Sequence, residues 1–540
     1  MIAVAISSLT TVCFLIIISC FYALMTTGKL LSTEQTNYGA TCSSQVEEEK
    51  VPLQGKMRQT VGISQATLVS DGTKAYKVPQ YIAALIVTIG GLAMGTILGW
   101  TSPTELPLKA GQYGFEVNNS EFPWIGSLMS IGAIFGAAFT GTITDKIGRR
   151  TTIIGIVIPS VVGWALMIWA VNPYMMMVGR VILGLASGAY SVACPMYTNE
   201  ISEVEIRGTL GTYFQLQITI GILLSYVIGA VVDVYWLSVI CAIIPILTSV
   251  LMAFMPETPY YLLMKNDVQK ARQSLQKLRG KKYNIDGEIE QFQATIERVA
   301  AEKLSFRQAF TTVAAKRGLA VGLGIMFFQQ LSGINAVIFY TSQIFQSAGS
   351  KLAPSVATII VGAVSVVATY VSTLMVDRLG RKPLLFISDL VMALSSLVLG
   401  IFFWIQTHEP EKATSIGWLP IACLSVFIIV FSIGYGPIPW MLIAEIFSPA
   451  IKGPASSIAC LFNWVCAFLV TLLFPIVKDA IGSATTFWIF TVISFIGTAF
   501  VYFFVPETKG KSLDEVVKIF GGSSSSSSDA TIEASGEKRH

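Results

Sequence analysis

The chain has 540 residues, of which 53% are hydrophobic and only 13% are charged, whereas soluble domains carry about 25% charged residues. So small a charged fraction excludes an ordinary water-soluble protein and indicates a chain that is solvated largely by lipid. The net charge is only +4, and we expect no nucleic-acid partner.

The first element in chain order is an apolar, uncharged segment at residues 1–25, followed by four basic residues between Lys29 and Arg58. The segment lacks the basic front of a signal peptide. We therefore favour an extra hydrophobic helix, or an incorrectly assigned first exon, over a cleaved signal peptide. The N-terminal extension as a whole covers residues 1–77.

Twelve apolar stretches follow, each close to the roughly 20 residues that a helix needs to cross a bilayer. They predict an all-α integral membrane protein with an N-terminal half at 78–258, a cytoplasmic helical loop at 259–316 and a C-terminal half at 317–508. A tail at 509–540 includes the run Ser523–Ser528 and is predicted to be disordered. The predicted spans are 80–102, 122–144, 151–171, 175–198, 209–232, 236–256, 317–345, 353–376, 384–406, 417–446, 455–477 and 484–505.

Orientation follows from the basic residues, which favour the cytoplasmic side of a membrane. The turns after the second and eighth spans are basic, and the loop at about 257–317 holds twelve Lys and Arg residues. All three lie on one side if the spans alternate, so both ends of the core are predicted to be cytoplasmic, in a cell-membrane protein. The loop at 103–121 is then outside, where Asn118 begins a glycosylation sequon. The basic turn residues are Lys146, Arg149, Arg150, Arg378, Arg381 and Lys382.

Three short signatures occur twice in the same order and indicate an internal repeat of six spans. Asp145-x-x-Gly148-Arg149-Arg150 matches Asp377-x-x-Gly380-Arg381-Lys382, Glu200 with Arg207 matches Glu445 with Lys452, and Pro256-Glu257-Thr258 matches Pro506-Glu507-Thr508. One such match would be explained by a tight turn with positive charge inside. Three in order favour two related halves with a substrate site between them.

Arginine can bridge carboxylates at helix ends with two parallel hydrogen bonds. We expect Glu200 to meet Arg149 or Arg150, and Glu445 to meet Arg381, in a cytoplasmic charge network. Our hypothesis is that this network latches the two halves while the protein is open to the outside. Its predicted members are Asp145, Arg149, Arg150, Glu200, Arg207, Asp377, Arg381 and Glu445.

Enzymatic and metal-binding roles find no support in the sequence. The eight cysteines form no CxxC pair, and the two histidines, His408 and His540, have no partner for metal binding. No HExxH or GxSxG motif and no paired aspartates occur within the spans. We expect no enzyme activity, no metal and no cofactor.

Three amide side chains lie close together in the seventh span, namely Gln329, Gln330 and Asn335. Amides suit sugar recognition because each offers both donors and an acceptor, and polar groups inside a span usually mark function. Gly333 permits a break in the helix, as is common at transport sites. The competing interpretation is that these amides only hold neighbouring helices together.

The motifs resemble those of the sugar porter family within the major facilitator superfamily, most of all insect facilitated trehalose transporters and related facilitative glucose transporters. The resemblance covers about 78–520. It implies the major facilitator fold and a transporter that works by alternating access, as a monomer, on a small-molecule sugar. The motifs are Gly179-Arg180, Pro195-Met196-Tyr197, Pro256-Glu257-Thr258-Pro259, Gln329 to Asn335, Gly436-Pro437-Ile438-Pro439-Trp440 and Pro506 to Gly510.

The resemblance also implies roles for individual residues. Gln215 would join the amides from the N-terminal half, and Tyr340 would form an outer gate. Smaller residues replace three polar side chains of the glucose carriers, at Ser365, Ser432 and Ala467, which is compatible with a disaccharide. Tyr260 replaces an arginine, so one cytoplasmic charge contact is missing. The further implied cavity residues are Phe431, Trp440 and Trp464.

Ile97 stands where proton-coupled members of the family carry an aspartate in the first span. No ionisable residue lies between Tyr81 and Trp100, so proton coupling has no obvious carrier. We therefore predict a uniporter for trehalose or glucose. A proton symporter and a non-transporting sugar sensor remain alternatives.

Overall fold

The computed structural model describes residues 75–280, 283–301, 312–349, 352–447 and 449–509, together with 511, 515–516 and 519–520. Within these residues the regular structure is helical, without a strand. The predicted hydrophobic segment at 1–25 and the serine run at 523–528 lie outside the described residues.

Twelve helical segments of the described chain are long and apolar enough to cross a membrane, which confirms the predicted all-α membrane fold. In the N-terminal half, the first and third spans are kinked and consist of two helices each. The helices of this half are α1 (Val78–Gly99) and α2 (Thr101–Lys109) in the first span, α3 (Phe122–Ile147), α4 (Arg149–Gly155) and α5 (Val157–Ile168) in the third span, α6 (Pro173–Ile201), α7 (Val204–Gly229) and α8 (Val234–Met252).

The C-terminal half repeats this plan after three short helices in the connecting loop. The loop helices are α9 (Pro259–Met264), α10 (Val268–Arg279) and α11 (Asp286–Ala301). The helices of the second half are α12 (Val313–Leu331) and α13 (Ile334–Ser347) in the seventh span, α14 (Pro354–Leu379), α15 (Arg381–His408), the short α16 (Pro410–Ser415), α17 (Leu419–Ile433) and α18 (Ile438–Ile446) in the tenth, α19 (Pro449–Ile481) and α20 (Ser483–Phe504).

The first span is longer than the predicted 80–102, because helix continues into the loop expected at 103–121. Pro103 lies in the first turn of α2, where a backbone N–H has no helical partner and its absence costs nothing. The side chain of Ser102 then meets Ser342 of α13, with 3.0 Å between the hydroxyl oxygens. Helix α2, which begins within the predicted span and includes Ser102, therefore helps to join the two halves.

Close helix contacts hold the N-terminal half together, and glycines make them possible. A methyl group at Gly132 of α3 would lie 1.9 Å from the carbonyl oxygen of Val181 in α6, and one at Gly184 would lie 1.9 Å from that of Met129. Small residues allow backbones to approach in membranes, where helix association depends on packing.

The hydrogen bonds given for the described residues that join the two halves lie at one end of the bundle. Besides the Ser102–Ser342 contact, the hydroxyl of Tyr226 in α7 donates to the carbonyl of Ile338 in α13 at 2.7 Å. We call this the closed end. The turns at Gly148 and Gly380 lie at the opposite end, the motif end, because the second and eighth spans, respectively, separate them from the closed end.

Candidate functional site: an amide-lined cavity between the halves

Two spans of the C-terminal half are interrupted near mid-depth. Helix α12 ends at Leu331 and α13 begins at Ile334, with Gly333 at φ 93° and ψ 11° between them. A side chain there would also collide with the ring of Phe490, 2.8 Å away. The tenth span is interrupted at residues 434–437, so that Pro437 ends the interruption and Pro439 follows in the first turn of α18. Both interruptions free backbone carbonyls for side chains to bind.

The amides of the seventh span form a connected hydrogen-bond chain around the first interruption. Gln329 Nε2 donates to the carbonyl of Tyr435 at 2.6 Å, inside the second interruption. Gln330 Nε2 donates to Asn463 Oδ1 at 3.0 Å, and Asn335 Nδ2 donates to Gln330 Oε1. Side chains fixed in this way present their remaining donors and acceptors in defined directions.

A cavity of about 950 Å³, measured with its open mouth, lies beside this chain between the halves. The structure brings all nine residues predicted to bind substrate to its wall. They are Gln215, Gln329, Gln330, Asn335, Ser365, Phe431, Ser432, Trp440 and Trp464.

The wall of the cavity suits a polar ligand with an apolar face. Gln215 of α7 faces the amides from the N-terminal half, and its side chain makes no hydrogen bond to the described part of the chain. The Trp440 side chain is 41% exposed, whereas Trp464 is 6% exposed. The indole N–H of Trp464 has no hydrogen-bond partner among the described residues. Hydrogen-bonding groups and aromatic surfaces thus converge on one space.

Sequence reasoning missed Asn463, which lies in the eleventh span beside Trp464. Its Nδ2 donates to Gln329 Oε1 at 2.7 Å, so it links both glutamines of the seventh span. A lone asparagine in an apolar span was a usable signal. Ala467, one helical turn further along, is buried and is not part of the cavity wall, so the polar contact of this helix lies at Asn463.

Tyr340, the predicted outer gate, is fully buried at the closed end. Its hydroxyl donates to the carbonyl of Thr471 in α19 at 2.9 Å, and its ring meets the edge of Phe122 from the other half at 6.2 Å. The backbone of Tyr340 departs from helical geometry, with φ −118° and ψ 19°. Its ring therefore packs between the two halves at the closed end.

A charged cluster at the motif end of the N-terminal half links three of its spans and the start of the loop. Arg149 Nε lies 2.9 Å from Glu200 Oε1, and another nitrogen of Arg149 lies 3.1 Å from Asp145. Glu257 accepts the backbone N–H of Arg149 at 3.1 Å and of Arg150 at 3.0 Å. The guanidinium is thus held by carboxylates on two sides.

The C-terminal half repeats the main contacts of this arrangement. Arg381 Nη2 lies 3.0 Å from Glu445 Oε1, and Glu507 accepts the backbone N–H groups of Arg381 and Lys382, each at 3.1 Å. Thr508 donates to Glu445, just as Thr258 donates to Glu200. The repeat read in the sequence is therefore a repeat of hydrogen bonds.

The contacts given above for each set lie within its own half. Arg150 adds backbone carbonyls of its own half, with Nε donating to that of Met252 at 3.2 Å. Arg207 stands apart from the network and donates to the nearby carbonyl of Ser202 at 3.2 Å. The side chain of Asp377 lies outside the described residues.

Tyr260, which stands where the sequence comparison expected an arginine, contacts Arg149 through its aromatic ring. Its ring centroid lies 5.8 Å from the guanidinium carbon of Arg149, and that of Tyr261 lies 5.4 Å from it. A cation near aromatic faces gains electrostatic attraction. The charge contact expected to be lost is therefore replaced by aromatic contacts to the same arginine.

Asn118, the predicted glycosylation site, is exposed just before α3. Its backbone N–H donates to Glu121 at 2.9 Å. The side chain is thus accessible at the closed end.

Comparison with known proteins gives a consistent result. A family model described as "Sugar (and other) transporter" matches residues 81–520. The facilitated trehalose transporter Tret1 of Bombyx mori is 41% identical over 458 residues, which are 84% of this chain and 89% of that protein. Tret1 of Aedes aegypti is 40% identical over 441 residues, or 81% of this chain and 54% of that longer protein.

Among solved structures, the proton:xylose symporter XylE bound to 6-bromo-6-deoxy-D-glucose has a TM-score of 0.68 at 24% identity. The match covers 82% of this chain and 100% of that one. An inward-open structure of the xylose transporter XylE from E. coli has the same TM-score at 25% identity, covering 82% and 99%. These likenesses support the fold.

Proposed function

Because the chain belongs to the sugar transporter family, we propose that it is a facilitative transporter that moves a sugar, trehalose or glucose, down its gradient. The observation that carries this proposal is the cavity between the halves. There, Gln329, Gln330, Asn335 and Asn463 form one hydrogen-bonded set opposite Gln215. A sugar hydroxyl can both donate and accept, which such a set matches.

Trehalose is our first choice of substrate. The two relatives named for facilitated trehalose transport are 41% and 40% identical to this chain, over 84% and 81% of its length. In the cavity wall, Ser365 and Ser432 are small side chains facing the amides, which leaves room for a second sugar ring. Glucose, held with more bridging water, is the other candidate.

Uniport is supported by the chemistry of the cavity. The described residues that line it carry no charged side chain, and Ile97 in the first span is fully buried. A proton-coupled carrier needs a group that gains and loses a proton as the site changes sides. In this part of the chain the site is lined by amides, hydroxyls and indoles instead.

The proposed orientation places the motif end in the cytoplasm of a cell-membrane protein that works as a monomer. In this orientation the helical loop (259–316) and the tail (509–540) are cytoplasmic. The loop connects the N-terminal half (78–258) to the C-terminal half (317–508), and Asn118 is an extracellular glycosylation site. In this orientation the structure is inward-facing, since the halves are joined at the closed end. The two arginine networks then brace the cytoplasmic ends, and we propose that they latch the halves in the outward-open state.

The test is uptake of labelled trehalose and labelled glucose by oocytes that express the protein, at neutral and acid external pH. We expect saturable trehalose uptake that reaches only the external concentration and does not depend on pH. The matched control is Gln330→Ala, because that substitution removes the central amide of the chain and leaves the motif end intact. Accumulation above the external concentration would replace uniport by symport. Absence of uptake of either sugar, with protein at the surface, would overturn the transport proposal and favour a sensor.

A further inference from the structure

Helix α13, the second helix of the seventh span, is kinked at the closed end. The backbone of Tyr340 within it is non-helical, with φ −118° and ψ 19°. The helix runs from Ile334 to Ser347 and contains no proline and no glycine, residues that commonly kink a helix from within. Its own sequence thus favours a regular helix, and a side chain inserted into its hydrogen bonds from a neighbouring helix can account for the kink.

Two side chains of the N-terminal half reach one pair of backbone groups of α13 across this kink. In a regular helix the N–H of Ser342 donates to the carbonyl of Ile338, four residues earlier. Here the N–H of Ser342 donates to Oγ of Ser102 at 3.1 Å, and the carbonyl of Ile338 accepts from the hydroxyl of Tyr226 at 2.7 Å. Both members of one helical pair, on either side of Tyr340, therefore have a partner in the other half.

Both of these side chains are enclosed by protein. Ser102 is 0% exposed and Tyr226 is 3% exposed, so their hydrogen bonds meet little competition from water, and a partner lost there would leave a buried polar group unsatisfied. The ring of Tyr226 packs against Gly362 of α14, where a methyl group would lie 3.0 Å from ring atom Cδ2. Tyr226 and Ile338 also line the cavity between the halves. One of the two bonds thus lies at the wall of the proposed site.

We propose that Tyr226 and Ser102 are positioning residues, which hold the kink of α13 by taking up its Ile338–Ser342 backbone pair, and that α13 takes this pair back and straightens when the closed end opens. This exchange presupposes the alternating access of the proposed function. When the halves separate, the two hydroxyl groups meet water and the backbone pair closes within the helix. Neither state then leaves a buried polar group without a partner.

The first test compares Ser102→Ala, Tyr226→Phe and the variant that carries both changes. A reporter cysteine replaces Gly141 at the motif end, where an added side chain meets no atom within 4 Å, and its rate of modification follows the conformational balance. Each single variant should change that rate about two- to tenfold, in the same direction, as for one neutral hydrogen bond. Because loss of either bond lets α13 take back the pair, the double variant should lie within about twofold of the larger single effect.

Two further variants serve as matched controls. Tyr213→Phe removes a hydroxyl from the same helix as Tyr226, at a residue that is 2% exposed and whose hydroxyl has no hydrogen-bond partner among the described residues. It should leave the modification rate within about twofold of wild type. Ser342→Ala removes the hydroxyl that lies 3.0 Å from Ser102 Oγ but keeps the backbone N–H that donates to Ser102. It should therefore change the rate less than Ser102→Ala does.

Uptake of labelled trehalose gives an independent readout, as Vmax per surface molecule, and the double variant should again show no more than the larger single effect. If wild type took up no sugar, the proposed function would fail and the modification rate alone would decide. If Tyr226→Phe did not reach the surface, the comparison of Ser102→Ala with Ser342→Ala would decide. Single effects that multiply in the double variant, equal effects of the two serine variants, or wild-type rates throughout would overturn the proposal.

Discussion

The guanidinium of Arg180 donates a hydrogen bond of 2.7 Å to the backbone carbonyl of Ile97, and both residues are fully buried. The same group donates to the carbonyl of Ile125 and to the hydroxyl of Thr101, each at 3.0 Å. The ring of Trp100 lies 5.5 Å away. In the described part of the chain, this buried cation is therefore balanced by neutral oxygens and an aromatic face, without a carboxylate.

This environment predicts that a single added carboxyl group can couple sugar transport to protons. Ile97→Asp places an acid beside Arg180, where the interaction between opposite charges is strong because water is excluded. We expect uptake of sugar to become dependent on external pH, in contrast to the wild type. Ile97→Asn is the control, since its side chain has the same shape but does not titrate. Equal pH responses of the two variants would contradict the prediction.

Asn463 is predicted to contribute to sugar affinity. Asn463→Ala removes its two hydrogen bonds to the glutamines of the seventh span and leaves their amides unsatisfied, at a cost of about 1–3 kcal/mol. We expect KM for trehalose to rise roughly tenfold or more. Cys466→Ala, in the same span and away from the cavity wall, should leave KM unchanged. A KM that stays at the wild-type value in Asn463→Ala would assign Asn463 a packing role.

The turns at Gly148 and Gly380 are predicted to tolerate no side chain. Their φ angles are 101° and 93°, and a methyl group would lie 2.4 Å from Glu257 Oε2 in the first and 2.8 Å from Glu507 Oε2 in the second. Alanine at either position should cost about 1–3 kcal/mol of backbone strain and displace the glutamate. We expect a lower melting temperature in detergent and reduced transport, with Gly141→Ala as the neutral control. Wild-type melting of both variants would show that the turns adapt.

Glu445 is predicted to control the balance of conformations. Glu445→Gln keeps the shape of the side chain but removes the charge that faces Arg381 at 3.0 Å. If the network latches the outward-open state, the variant should populate the inward-facing state more and transport more slowly. The measure is modification of a reporter cysteine at Gly141 together with the uptake rate. Unchanged values of both would refute the latch.

Glu507 is predicted to make stability depend on acid pH. Partial burial raises the pKa of Glu507, but hydrogen bonds from the backbone N–H groups of Lys509, Arg381 and Lys382 lower it more, so the pKa lies below its ordinary value of 4.5. The ionised form is therefore favoured by folding, and its contribution is present above the ordinary pKa and lost as pH falls through the lowered one.

In melting experiments, wild type should exceed Glu507→Gln in stability at neutral pH, and the difference should shrink as the pH is lowered through this range. A difference that does not change with pH would mean that shape, rather than charge, holds the turn.

The spans and the repeat could be predicted because hydropathy and short motifs are local properties of the sequence. The same holds for the break at Gly333, since a glycine between amides is visible in the chain. The contact of Asn463 with two glutamines more than 130 positions away depends on how two helices are placed. Likewise, Tyr260 looked like the loss of a charge contact, because only the fold shows its ring beside Arg149.

The hydrogen bonds that join the halves at the closed end also affect the part of the transport cycle in which no sugar is bound. A uniporter must return empty after each delivery, so the links that hold the closed end must yield without help from the substrate. Here the linking hydrogen bonds are uncharged, between Ser102 and Ser342 and from Tyr226 to a backbone carbonyl, and each such bond is worth only about 0.5–1.5 kcal/mol. The empty carrier can therefore change conformation in either direction, and the sugar gradient alone decides the direction of net flow.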